Sequence, residues 1–166
     1  FGSLSGAAIE ALNRGAALAG CLHNTGEGGV SRHHEHGGEL IWQIGTGYFG
    51  CRDDQGGFDA DLFAATAADE QVKMIELKLS QGAKPGHGGI LPAAKVSAEI
   101  AEARRVPVGV DCLSPTSHRA FSTPREMVSF LDRLRDLSGG KPVGFKICIG
   151  DPREFSAIVK AMIEAD

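Results

Sequence analysis

From Val72 to the last residue, strand-like and helix-like segments alternate without a break. "VKMIELKL" reads as a strand, "PAAKVSAEIAEARR" as a helix and "PVGVDCLS" as a second strand. "TPREMVSFLDRLRDLSGG" reads as a helix, "PVGFKICI" as a further strand and "DPREFSAIVKAMIEAD" as a closing helix. That succession predicts parallel strands joined by right-handed crossovers, with helices packed on the sheet. The punctuation agrees. Thr123 caps a helix, Pro124 takes its first turn, Glu126 completes a capping box and Gly139 stops it. Met127, Leu131, Leu134 and Leu137 supply its buried stripe. Asp151, Pro152 and Glu154 repeat the cap pattern.

Two architectures share this alternation: an open doubly wound sheet and a (β/α)8 barrel. The lysines separate them. In "PVGFKICI", Val143, Phe145, Ile147 and Ile149 share one face, and Gly144, Lys146 and Cys148 the other. In "VKMIELKL", Ile75, Leu77 and Leu79 oppose Met74, Glu76 and Lys78. Each strand sends a lysine to the side away from its helices. An open sheet covers both faces with helices and disfavours that. A barrel that opens to a site at the C-terminal ends of its strands uses it. The reading is therefore an α/β fold of the TIM (β/α)8 type. Such a barrel needs about 250 residues. The 166 residues here make one partial barrel domain, about the N-terminal half, cut at both ends. Either strands are missing or the half-barrel assembles with something.

Upstream the signals are weaker. Ser5 caps a first helix, "GAAIEALNRGAALAG". Cys21 to Val30 is a short segment ending in "NTGEGGV". "SRHHEHGG" reads as a polar loop, "LIWQIGTGYFGC" as a short strand or turn-rich stretch, and "GFDADLFAATAADEQ" as a loop followed by a short helix. A net charge of −4 gives no reason to expect nucleic acid. No apolar run approaches the roughly 18 residues of a membrane span, and no signal peptide opens the sequence. The expected compartment is the cytoplasm, with an anchor upstream of Phe1 left open. Cys21, Cys51, Cys112 and Cys148 lack CxxC spacing, so they read as free buried thiols and not as a zinc site. Contiguous His33, His34, Glu35 and His36 have no second cluster at ligand spacing, which favours a surface loop over a metal centre.

Gly is 23 of 166 residues, and the glycines cluster. Clustered glycine among hydrophobic flanks marks close backbone approach to a ligand. The clusters fall in an ordered set: "NTGEGG", then "QGAKPGHGG", then "LSPTSHRAFST". This set resembles the FMN-binding barrel of the glutamate synthase family, closest to its stand-alone FMN-binding members. That family carries "NTGEGG", "QGAKPGEGG" and an "SP" segment followed by histidine. Its first strand ends in "SFGS", and here the chain opens at "FGSLS". The resemblance covers essentially the whole chain.

What the resemblance implies is specific. Ammonia and 2-oxoglutarate give 2-iminoglutarate, which reduced FMN converts to L-glutamate. Lys146, Ser3 and Gln43 match cofactor positions. Lys146 suits the pyrimidine edge of a flavin, which gathers negative charge on reduction. Glu27 of "NTGEGG" matches an acid near the flavin and the ammonia route. With Lys146 it is the expected catalytic pair. Gln81, Lys84 and Arg104 match substrate contacts, and His118 sits where the rim of the site is expected. No metal ligand set is expected, and this segment does not support an iron–sulfur cluster. The electron donor leaves no mark.

The departures matter. His87 stands where the family has Glu, and Ile90 where it has Gln. Ile cannot hydrogen-bond a carboxylate. An FMN barrel acting on another 2-oxo acid, 2-hydroxy acid or imine is therefore an alternative. A catalytically inactive half-barrel that binds FMN weakly and self-associates is a third. Ordinary structural roles compete throughout: Lys78 paired with Glu76, Lys84 as a solvated loop charge, Arg105 on a helix dipole, Cys112 and Cys148 as packing.

Overall fold

The computed structural model describes residues 1–81 and 88–165. Its strands are β1 (His23–Asn24), β2 (Leu40–Ile44), β3 (Val72–Lys78), β4 (Gly89–Leu91), β5 (Cys112–Ser114) and β6 (Val143–Lys146). Its helices are α1 (Gly6–Ala19), α2 (Ala60–Ala67), α3 (Ala98–Arg104), α4 (Pro124–Leu137) and α5 (Pro152–Ala165). Four strands form a parallel sheet in the order β1-β2-β3-β6.

Register turns the alternating sequence into two unlike faces. Trp42 lies opposite Ile75, and Ile75 opposite Val143; the next layer is Ile44, Leu77 and Phe145. These side chains meet helices. Trp42 stacks on Phe63 of α2 with ring centroids 5.3 Å apart, and Met127, Phe130, Leu131 and Leu134 of α4 close the core. Full burial of a large apolar side chain contributes about 1.5–3 kcal/mol, so this layer holds the helices to the sheet. The intervening positions form the other face: Gln43 opposite Glu76 opposite Gly144, then Lys78 opposite Lys146. Two lysines thus share the side away from the helices, as the strand alternation implies. Among the described residues the sheet is not closed into a barrel.

The strand expected at "PVGVDCLS" does not join this sheet. Only Cys112–Ser114 is extended, and it pairs antiparallel with β4. Val108, Val110 and Leu113 stay exposed and find no apolar partner face among the described residues, while the Asp111 carboxylate accepts the Ala93 N–H at 2.7 Å. As a result β3 pairs directly with β6, and the two-stranded ribbon with α3 is inserted on their connection.

The helix expected from Pro92 to Arg105 is also interrupted. Ala93–Lys95 makes a 3-10 turn, and α3 begins after Ser97, whose hydroxyl accepts the Ile100 N–H. Burial of Val96 beside Phe49, Ala101 and Cys112 draws the backbone out of helical geometry there. The polar 31–38 segment holds a 3-10 turn, Arg32–His34, that buries His34 completely. The segment is surface loop at Arg32, Glu35 and Gly37, but His34 turns inward, where the Ser31 N–H donates to its Nδ1 at 3.0 Å. All four cysteines are free. Cys51 and Cys112 are buried and Cys148 half-buried, but Cys21 is exposed just beyond the end of α1.

Candidate functional site

In parallel α/β folds, functional groups collect beyond the carboxyl ends of the strands. Here that edge lies at Asn24, Ile44, Lys78 and Lys146, and the polar residues gather there. Thr25 is buried and its hydroxyl oxygen accepts the Gln43 N–H at 3.0 Å, which ties the turn after β1 to β2. That turn delivers Glu27.

The Glu27 carboxylate is held by three donors from distant parts of the chain. Its Oε2 accepts from Lys78 Nζ at 3.2 Å and from Gln81 Nε2 at 3.0 Å; its Oε1 faces the Ser114 hydroxyl at 3.5 Å. The ion pair is largely shielded, with side-chain exposures of 18% for Glu27 and 12% for Lys78. Shielding strengthens the charge-assisted bonds and makes loss of either partner costly. Gly45 makes the space: a Cβ there would come within 2.5 Å of Glu27 Oε2.

Glu76 has other partners. It accepts from Asn24 Nδ2 at 2.9 Å and from Gln43 Nε2 at 2.5 Å. The Lys78–Glu76 pairing is therefore replaced by Lys78–Glu27, while Asn24 of β1 and Gln43 of β2 both donate to Glu76 Oε1. Lys146 lies opposite Lys78 in the register, is exposed, and makes no ion pair among the described residues.

Arg104 ends α3 but is turned inward. It is 6% exposed, donates to the Phe1 carbonyl at 3.0 Å and lies 4.9 Å over the Phe49 ring. With Ser3, Asn24 and Glu27 it lines a cleft of about 620 Å³. Ser3 is exposed at its rim. His118 does not line that cleft but meets the end of β3. Its Nε2 donates to the Lys78 carbonyl at 2.9 Å, and its ring stacks on Phe121 behind the strand end. Burial lowers its pKa to about 4, so the ring is neutral at physiological pH. Lys84 and His87 lie outside the described residues.

Sequence reasoning placed Glu27 and Gln81 at the site and left Lys78 undecided between structure and function. The face rule that put Lys78 beside Lys146 was the available signal. Ser114 and Gly45 were missed. Ser114, the first serine of the "LSPTSHRAFST" segment, arrives on the inserted ribbon, and its contact with Glu27 spans 87 positions of sequence. Chemically, the edge presents one held carboxylate among cationic groups. Such a set suits an anionic ligand and a proton moved to or from an amine.

Over residues 1–166 the chain matches the family described as "Conserved region in glutamate synthase". It is 44% identical over 164 residues to the glutamate synthase large subunit-like protein YerD of Bacillus subtilis, which covers 98% of this chain and 31% of that protein. It is 38% identical over 149 residues to the archaeal-type glutamate synthase (NADPH) of Thermotoga maritima, covering 89% of this chain and 27% of that protein. It is 32% identical over 167 residues to the archaeal glutamate synthase (NADPH) of Archaeoglobus fulgidus, covering 99% and 30%. The chain thus spans less than a third of the length of these relatives.

Proposed function

Because this chain belongs to the glutamate synthase family, we propose that it forms about the N-terminal half of an FMN-binding (β/α)8 barrel. In the complete protein that barrel makes L-glutamate from 2-oxoglutarate and ammonia by way of 2-iminoglutarate. The observation that carries the reading is the Glu27 carboxylate. It is fixed by Lys78, Gln81 and Ser114 at the carboxyl ends of the parallel strands.

The residues present fit a flavin. The polar face offers an exposed ammonium, Lys146, with the Gln43 amide on the same side of the sheet. Lys146 would hold the pyrimidine edge, with Ser3 and Gln43 completing the contacts. Bound FMN would supply the hydride that reduces the imine. The chain's own groups do the rest. Arg104, Gln81 and Lys84 hold the carboxylates of the 2-oxo acid. Glu27 takes a proton from ammonium, freeing ammonia to attack the ketone, and returns it to the hydroxyl that leaves as water. Lys78 keeps Glu27 oriented between these transfers.

The test uses the full-length protein. Purified protein should carry flavin absorbance, and its reduced flavin should reoxidise only when 2-oxoglutarate and ammonia are both present. Glu27→Gln should keep the flavin and slow that reoxidation by about 100-fold or more. A colourless protein that ignores added FMN would sink the reading.

A second reading keeps the cofactor and changes the acceptor to another 2-oxo acid, 2-hydroxy acid or imine. Ile90 favours it: it is 62% exposed on β4, opposite Leu113, which is also exposed, so the ribbon presents an apolar pair where the family has an amide. Acceptor profiling decides between the two, and a clear preference for 2-oxoglutarate eliminates the second.

A further inference from the structure

One histidine of the polar 31–38 segment is gripped by two carboxylates at once. His33 Nδ1 lies 2.7 Å from Glu10 Oε1, and His33 Nε2 lies 2.7 Å from Glu99 Oε1. Glu10 belongs to α1 and Glu99 to α3, so the imidazole joins two helices that are far apart in sequence. The site is built to seat it. The side chain is 12% exposed, and a Cβ on Gly6 would lie 2.5 Å from its Cε1, so the ring rests against the first turn of α1.

Both contacts together require the charged ring. A neutral imidazole has one N–H; it can serve one carboxylate and must turn a lone pair toward the other. At 2.7 Å that second contact is repulsive. The hydrogen bond that His33 donates to Glu10 is the largest influence raising the His33 pKa above its ordinary 6.5, and Glu99 adds to it. The same bonds hold the Glu10 and Glu99 carboxyls below their usual range.

Among the described residues the other charges around the ring are few. Arg14 of α1 lies 3.5 Å from His36, and His36 lies 3.8 Å from Glu10. Arg32 reaches Glu99 at 2.5 Å but is 74% exposed, where an ion pair is heavily screened. Nor does apolar packing fasten α3 strongly. Its segment belongs to a small cluster of Phe49, Val96, Ala101 and Cys112, separate from the main core.

We propose that His33 is a proton-operated latch, whose imidazolium pins α3, and with it Arg104 at the cleft, to α1. When the proton leaves, one of the two contacts must open, and the inserted segment is then held by Arg32, by its small apolar cluster and by the bond of Arg104 to the Phe1 carbonyl. His33 is a positioning residue: it touches neither the cleft nor the proposed substrate, and it acts through the helix that ends in Arg104.

The experiment is an NMR titration of the full-length protein, following His33 Cε1–H and the δ1 methyl of Ile100 in α3. His33 should titrate above 6.5, and the Ile100 methyl should shift with the same midpoint. His33→Gln should abolish the Ile100 response, and His36→Gln should keep it. A His33 that titrates at or below 6.5, or an Ile100 methyl that ignores its titration, overturns the proposal. The wild-type titration decides even if His33→Gln does not fold. Neither signal needs flavin or substrate, so a failure here is separate from a failure of the glutamate synthase reading.

Discussion

His34 shows how far a single environment can move a side chain from the behaviour its neighbours in sequence suggest. It is adjacent to His33, whose pKa is raised by its carboxylate partners, yet it is fully buried beside His23, with ring centroids 5.4 Å apart. Burial pushes its pKa down to about 4, the same value reached by His118. In the unfolded chain both rings take up protons near 6.5. As pH falls, the unfolded state is therefore protonated first. The stability these residues contribute is complete above pH 6.5 and is lost progressively down to about pH 4. The urea midpoint should decline between pH 6.5 and 5, before most carboxylates titrate, while the His34 and His118 ring signals in the folded protein stay in the neutral position. A ring that titrates near 6.5 in the native spectrum refutes the assignment. At this scale the sequence revealed charges better than partners. Glu27 stood out between glycines, but its grip by Lys78 and Ser114 depends on residues 51 and 87 positions away.

At the level of elements, local chemistry was most informative where a cap, a stripe and a stop coincide. α4 is the clearest case. The Glu126 N–H donates to the Thr123 hydroxyl at 3.3 Å, and the Glu126 carboxylate accepts from the Ser122 N–H at 2.7 Å and the Thr123 N–H at 3.1 Å. These bonds hold the Glu126 carboxyl below its usual range, with the Ser122 backbone the largest cause. Thr123→Ala should cost about 1 kcal/mol of unfolding free energy in denaturant titration, with the slope unchanged. A null effect would mean that Glu126 alone secures the helix start. Strands β3 and β6 were legible from their alternation, because one face of each is buried by helices, whereas β2 lies in a stretch that read only as a short strand or turn-rich segment and is buried along nearly its whole length. "PVGVDCLS" misled because its apolar residues suit a strand but have no sheet position to fill, a matter decided by the direct pairing of β3 with β6. Two-residue β1 gave no periodic signal at all.

The molecule as a whole leaves apolar surface uncovered at both edges of the sheet. α5 exposes Phe155, Val159, Met162 and Ile163 along one stripe, and beside β1 the residues Leu4, Leu12 and Leu22 are exposed. Strands β1 and β6 each have one side without a partner strand among the described residues. The isolated 166-residue chain is therefore expected to self-associate. Light scattering behind a sizing column should show species larger than a monomer, and Met162→Glu combined with Ile163→Lys should shift them toward the monomer. A monodisperse monomer of the unaltered chain would contradict this. The inserted ribbon has a different kind of consequence. Strands β3 and β6 pair directly with each other, so no strand of the ribbon stands between them in the sheet. The same insertion brings Ser114 to Glu27 and Arg104 to the cleft. A change of sequence in that ribbon would therefore reach the cleft, while Lys78 and Lys146 stay on the strands beneath it.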